Sequence, residues 1–365
     1  MPLTRAGTIF RSTTKEHEEK RLGKPRGMNK NLDFLRALAV VLAVLGHTLA
    51  FFGVPARVWL IEPYCIGRMG VLLFFVHTSL VLMQSLEREP NATVFLARRI
   101  FRIYPLAMLA IAATVAFHIP QSRILPHHFI GWDADSTDIL ANVFLVQDFS
   151  SRVAILGPTW SLTYELLMYL LLPFIFLLIR AKNCAIWLYL TGIVASVLIR
   201  QVPVVCGYAP LFCFWYFVPC FLPGVVAYQL LKTQKSKLPA YGWPVALTTV
   251  CFMYTLMHKA DYSVYAFCGL IGLLIPRFEQ IKSRALTCTC HCVAKYSYGV
   301  YLCHFAAIYL AFEVGSHLPM IVQVTSFIGL LIAMPVFLYH AIEEPMINLG
   351  KNLALVEKKG MLAVA

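Results

Sequence analysis

Charge is what this sequence has least of, and negative charge above all. Its 365 residues include only 18 Asp or Glu against 31 Lys or Arg, and charged residues make up 13% of the chain. A soluble domain carries about a quarter. With 59% hydrophobic residues and a mean hydropathy of +0.70, that scarcity excludes an ordinary soluble globule and points to an integral membrane protein. The net charge of +13 raises nucleic acid as a partner. No basic domain with interleaved surface aromatics accompanies it, however, and the cations fall between apolar runs, so no nucleic acid is expected. Also missing are G-x-S-x-G, H-E-x-x-H and P-loop motifs, internal repeats, low-complexity tracts and a soluble domain after Glu343. The eleven cysteines form no disulfide framework. They are scattered through apolar segments, where free Cys behaves as a small hydrophobe. Cys206, Cys213 and Cys220 read as a packing stripe. Cys288-Thr289-Cys290-His291-Cys292 has metal-ligand residue types at too tight a spacing for C-x₂-C chelation. His127 and His128, near several aspartates, read as part of a solvated loop, so no metal is expected.

Long apolar runs are what the chain does have. Runs of spanning length predict an all-α integral membrane protein, a single bundle of about ten transmembrane helices. They fall at residues 33–53, 68–86, 102–118, 158–179, 184–199, 211–231, 241–257, 262–276, 293–313 and 320–340. The first run is long and carries Arg36 and His47, which suits a retained signal anchor better than a cleaved signal peptide. All but six of the 31 Lys and Arg lie on one side of this arrangement, the exceptions being Arg57, Arg68, Arg123, Arg152, Arg200 and Lys259. The positive-inside rule then puts both termini in the cytoplasm. The chain divides into a basic cytoplasmic tail (1–31), a membrane domain (32–347) and a cytoplasmic C-terminal tail (348–365). Its sizeable outer segment is 119–157, where 122–138 reads as an irregular loop and ILANVFLVQ as a re-entrant or surface-lying stretch. The Asn91-Ala92-Thr93 sequon falls inside and should carry no glycan.

Ionisable residues within such runs are costly and therefore informative. Arg36 and His47 are eleven steps apart on one helix, three turns plus about 20°, so they share a face roughly 16 Å apart along the axis. Asp33 precedes Arg36 by about one turn. The plainer reading is an interfacial arginine and a histidine satisfied by a neighbouring helix. Read as a site, the pair is a cation at the rim in line with an imidazole that can take a proton from a hydroxyl. In ARRIFRIYPL (97–106), Arg98 and Arg102 are i,i+4 and Arg99 and Arg102 are i,i+3. This is either a cationic ridge suited to phosphate or plain positive-inside topology. Pro158 starts a helix on which Ser161, Glu165 and Tyr169 share a face. Glu165, two turns into an apolar span, needs an arginine, a histidine or a substrate hydroxyl as partner. Ser297, Tyr301 and His304 form an i, i+4, i+7 polar stripe, for substrate or for interhelical hydrogen bonds. In HAIEEPMI (340–347), Glu344-Pro345 is expected to end the last helix.

These five segments, in this order, resemble the membrane acyltransferase-3 family. LDFLRALAVVLAVLGH is similar to its first helix, including the spacing of Arg and His. GVLLFFVHTSLVL resembles its second helix, RRIFRIYPL its arginine motif, NVFLVQDF followed by WSLTYELLMY its outer-loop and fourth-helix motif, and YSYGVYLCHF and IEEP its late motifs. The likeness covers residues 32 to about 347. Where the family usually reads FFxxSGF, this chain has Phe74-Phe75-Val76-His77-Thr78-Ser79-Leu80. It thus loses a glycine of close helix approach and gains an intramembrane His77.

The resemblance implies an O-acyltransferase of the bacterial inner membrane. The donor would be acyl-CoA, most often acetyl-CoA, and the acceptor a cell-surface polysaccharide or lipid-linked glycan, with membrane lipids as surroundings. It implies His47 as base and Arg36, Arg99 and Arg102 as donor-binding residues, with Arg98 on the same ridge. On this reading Glu165 orients His47 or binds the sugar, and Ser297, Tyr301 and His304 line the acceptor pocket alongside Asp33, Ser161 and Tyr169. A covalent acyl-enzyme is the alternative route within the enzyme class. The rival class is a transporter or flippase of a lipid-linked sugar or anionic metabolite, against which the lack of repeats and of paired broken helices argues.

Overall fold

The computed structural model describes residues 29–54, 62–119, 134–150, 152–201, 209–234, 237–260 and 262–353, with backbone only at 200–201 and 209–214. Most of the N-terminal tail, Arg57, Arg123, His127, His128, Trp132, Asp133, Cys206 and the tail from 354 lie outside them. The described residues form eleven α-helices and no strand. They are α1 (Lys30–Phe51), α2 (Pro63–Arg88), α3 (Ala92–Ala116), α4 (Ser136–Val143), α5 (Thr159–Lys182), α6 (Ala185–Gln201), α7 (Ala209–Thr233), α8 (Gly242–Met257), α9 (Ser263–Leu274), α10 (Arg284–Ile308) and α11 (Met320–Leu338).

Among the described residues six helices are long and apolar enough to cross a membrane: α1, α2, α3, α5, α10 and α11. Three apolar helices are shorter, at Ala185–Ile199, Gly242–Met257 and Ser263–Arg277. The last helical stretch does not stop where the sequence suggested. A π-helical turn, Tyr309–Glu313, follows α10, and another, Tyr339–Glu343, follows α11, after which the helix runs through Glu344-Pro345 to Leu353. Pro345 falls just after the wide π turn, which loosens the hydrogen-bond ladder there, so it does not end the helix.

In an apolar solvent helices associate through close packing, and small residues permit it. The α1–α2 seam shows this. A Cβ on Gly46 would lie 2.3 Å from the Gly67 backbone nitrogen, and one on Gly70 would lie 2.4 Å from the Ala39 carbonyl. On the other side of α2, Ser79 donates a 2.6 Å hydrogen bond to the Phe221 carbonyl of α7. The glycine missing from α2 is supplied there by α7, since a Cβ on Gly224 would meet Ser79 Oγ at 2.1 Å. Helix α2 is thus the enclosed centre, whereas α11 leaves Ile321, Ile328, Ile332 and Phe337 exposed, as a lipid-facing helix should.

Polar clamps hold the ends. Buried Asn31 accepts from the Ile281 amide at 3.0 Å and donates to the Glu279 carbonyl at 3.0 Å, tying the start of α1 to the loop before α10. Asn91 of the sequon caps α3, accepting from the Val94 amide at 3.1 Å. Between α3 and α5, Asp135 and Asp138 form a reciprocal capping box on α4. Beyond α4, buried Gln147 donates to the Thr159 carbonyl at 3.1 Å, docking this segment on the head of α5.

Candidate functional site

A cavity of about 100 Å³ opens between α1, α2, α3, α5 and α10. Arg36 enters it from the second turn of α1, and Arg99 and Arg102 from one ridge of α3. Among the described residues the buried Nε of Arg36 has no hydrogen-bond partner. Across from them stands Glu165 of α5, whose carboxylate accepts from the Tyr169 hydroxyl one turn on. Glu165 feels the charges of Arg36, Arg102 and Arg99. A second carboxylate, Glu343, is 2% exposed, has no partner for Oε2 among the described residues and feels the charges of Arg102 and Arg36.

Helix α10 supplies the remaining wall. Ser297 and Tyr301 both line the cavity and are buried. Ser297 satisfies itself on the Ala294 carbonyl at 2.9 Å. The Tyr301 hydroxyl lies 2.8 Å from Ser161 Oγ, and each of the two is 3.2 Å from the Pro158 carbonyl. Tyr298 donates to the Ile103 carbonyl at 2.7 Å, binding α10 to the arginine-bearing helix beside Arg102. Helix α2 closes the cavity with Phe74 and the buried His77.

His47 and His304 form a second, adjoining group. His47 Nδ1 is 2.9 Å from His304 Nε2, and the rings stack with centroids 5.1 Å apart. His304 Nδ1 is 2.8 Å from the Tyr301 carbonyl. The Tyr301 ring lies 6.0 Å from that of His304, so one residue touches the cavity with its hydroxyl and the histidine pair with its backbone.

Of the residues singled out in the sequence, Arg36, Arg99, Arg102, Ser161, Glu165, Tyr169, Ser297 and Tyr301 are brought together around the cavity. His47 and His304 sit beside it. Arg98 does not line it. Asp33 turns instead to His291, whose Nδ1 is 2.9 Å from its carboxylate. Glu165 does not pair with His47; its hydrogen bond goes to Tyr169, while His47 pairs with His304 and the Ala43 carbonyl. In the Cys288–Cys292 segment the helix sends Cys290 inward and Cys288 and Cys292 outward.

Sequence reasoning passed over Glu343 and gave His77 no role. His77 carried an available signal, being ionisable within a span. Glu343 carried a weak one, an acid beside another acid at a helix end, and only the π turn decides which of the two points inward. Outside the spans, burial pushes the Asp148 carboxyl up to about 6, against the pull of a hydrogen bond from Tyr164.

The family profile of the acyltransferase domain matches residues 29–340. The chain is 25% identical over 308 residues to acyltransferase MdmB of Streptomyces mycarofaciens, covering 76% of this chain and 77% of that protein. It is 22% identical over 324 residues to nodulation protein 10 of Rhizobium leguminosarum bv. viciae, covering 79% of this chain and 85% of that protein. No solved structure matches. A multi-pass helical protein with this profile over most of its length is an acyl-transferring membrane enzyme, and the chain belongs to the acyltransferase-3 family.

Proposed function

We propose that this protein moves an acyl group, acetyl in the simplest case, from acyl-CoA to a hydroxyl of a cell-surface polysaccharide or lipid-linked glycan. The observation that carries the proposal is a guanidinium-walled cavity joined through Tyr301 to a histidine pair. Arg36, Arg99 and Arg102 would take the phosphates of the donor, since guanidinium forks suit them bidentately. The unpartnered Nε of Arg36 supports a charge-bearing guest. The pantetheine arm would run past Ser161 and Tyr301 toward His47, and Ser297 and Tyr301 would flank the acceptor. The bias of basic residues supports both termini, and the arginine mouth, on the cytoplasmic side of a bacterial inner membrane.

His47 takes the proton of the acceptor hydroxyl as its oxygen bonds to the thioester carbonyl carbon. The carbon–sulfur bond then breaks, the proton passes to the departing thiolate, and ester and free thiol leave with His47 restored. The test is purified protein in nanodiscs with labelled acetyl-CoA and a panel of glycan acceptors. Label is expected to pass to acceptor with wild type and to be lost in His47→Ala. Transfer retained by His47→Ala removes the base. No transfer to any acceptor from any acyl-CoA overturns the reading in favour of transport.

A further inference from the structure

The hydrogen bonds around the two histidines dictate where their protons sit. The Tyr301 carbonyl can only accept, so His304 Nδ1, 2.8 Å away, carries a hydrogen. Among the described residues neither ring has a carboxylate in contact, and a buried charge without a partner is costly, so both rings are taken as neutral. A neutral imidazole has one N–H, which leaves the lone pair of His304 on Nε2. Its neighbour at 2.9 Å, His47 Nδ1, must then be the donor. The Ala43 carbonyl one turn back is a second acceptor at His47, and with the N–H of His47 on Nδ1 its lone pair is on Nε2.

The surroundings lock and expose this arrangement. His304 is fully buried, and Phe305 sits against both rings, with centroids 4.9 Å from His47 and 4.7 Å from His304. On the Nε2 side of His47 lies Gly67, where a Cβ would come 3.6 Å from the nitrogen. That glycine leaves a methyl-sized opening beside the basic atom.

We propose that His304 is a positioning residue. Through the chain from the Tyr301 carbonyl to His304 to His47, it holds His47 as the Nδ1–H tautomer and presents Nε2 as the base. The role rests on the acyl-transfer reading, whereas the tautomer is a property of the resting protein and is tested apart from activity. The experiment is ¹⁵N NMR of histidine-labelled protein in nanodiscs, the His47 signals being those lost in His47→Ala, alongside acetyl-transfer kinetics. Wild type is expected to show an unprotonated Nε2 at His47. In His304→Leu, which offers no acceptor, the Nε2–H tautomer should gain population and kcat should fall about 10- to 100-fold, part of the usual worth of a general base. The KM for donor should hold. His304→Gln, whose amide can accept from His47 and donate to Tyr301, should keep the wild-type tautomer and most of the rate.

A protonated Nε2 at His47 in wild type overturns the proposal. So does a His304→Leu protein with wild-type tautomer and kcat. Should His304→Leu fail to fold, the wild-type spectrum and the Gln variant still decide. A wild-type protein with the Nδ1–H tautomer but no transfer to any acceptor refutes the acyl-transfer reading and leaves the proton arrangement standing.

Discussion

The hydroxyls of Ser161 and Tyr301 lie 2.8 Å apart, 140 residues distant in the chain, in the wall between the arginine cavity and the histidine pair. They join α5 to α10 at the level where a carrier held by its phosphates would meet the base. Tyr301→Phe keeps the ring and loses its contacts with Ser161 and the Pro158 carbonyl. A buried hydrogen bond is worth about 1 kcal/mol net. The variant should therefore melt a few degrees lower in detergent, and Ser161→Ala should cost less in that background than in wild type, because only its contact with the Pro158 carbonyl is left to lose. Fully additive losses in the double variant would show that the two hydroxyls are not coupled.

Arg36 and Arg102 approach the cavity from different helices, which makes their loss separable. Each charge-assisted bond to a phosphate is worth about 1.5–3 kcal/mol. Arg36→Ala and Arg102→Ala should each raise the KM for acyl-CoA by roughly 10- to 100-fold, a factor of ten being about 1.4 kcal/mol, with a smaller change in kcat. Acyl-chain length should not alter the effect, because the phosphates are common to all donors. A KM unchanged by both substitutions would remove the arginines from the donor site.

Helical spacing made much of the site legible. The i,i+3 relation of Arg99 to Arg102, the shared face of Ser161, Glu165 and Tyr169, and the Ser297–Tyr301–His304 stripe all survive in three dimensions, because each depends on one helix alone. Relations between helices were not legible. Nothing in periodicity could pair His47 with a residue 257 positions away, and Glu165 was the nearer guess by motif. Asp33, one turn before Arg36, lies about 60° round the helix from it, enough to face His291 instead. Membrane depth was legible only in part. The three shorter helices are apolar enough for a bilayer, yet at 1.5 Å per residue they fall short of its full hydrocarbon thickness.

Glu343 illustrates the same limit and yields a prediction. A π turn holds an extra residue, so Tyr339–Glu343 shifts the register of the last helical turns and buries Glu343, while Glu344 stays near the surface with His340 at 2.9 Å. Glu343 stands in the field of Arg36 and Arg102 and competes with any anion that would use them. Glu343→Gln should tighten binding of CoA, measured calorimetrically, by roughly three- to tenfold, about 1 kcal/mol. Glu344→Gln should leave it unchanged. Weaker binding in Glu343→Gln would mean that this carboxylate orients the arginines rather than opposing the ligand.

Asp148 makes a prediction about pH outside the spans. Its folded-state carboxyl is pushed up to about 6 from an ordinary value of 3.8, burial being the main cause and the Tyr164 hydrogen bond a partial offset. Because the folded value lies above the unfolded one, the folded state holds this proton more tightly. The contribution is full below the unfolded value and is lost as pH rises from about 4 through about 6. At one unit per 1.36 kcal/mol, the ionised form costs up to about 3 kcal/mol near neutrality. Asp148→Asn keeps an acceptor for Tyr164 and removes the charge. The variant should gain melting temperature over wild type at pH 7.5, and the gain should shrink toward pH 5 as wild-type Asp148 takes up its proton. A difference between the two proteins that is flat across this range would show that Asp148 ionises as freely in the folded protein as in the unfolded chain.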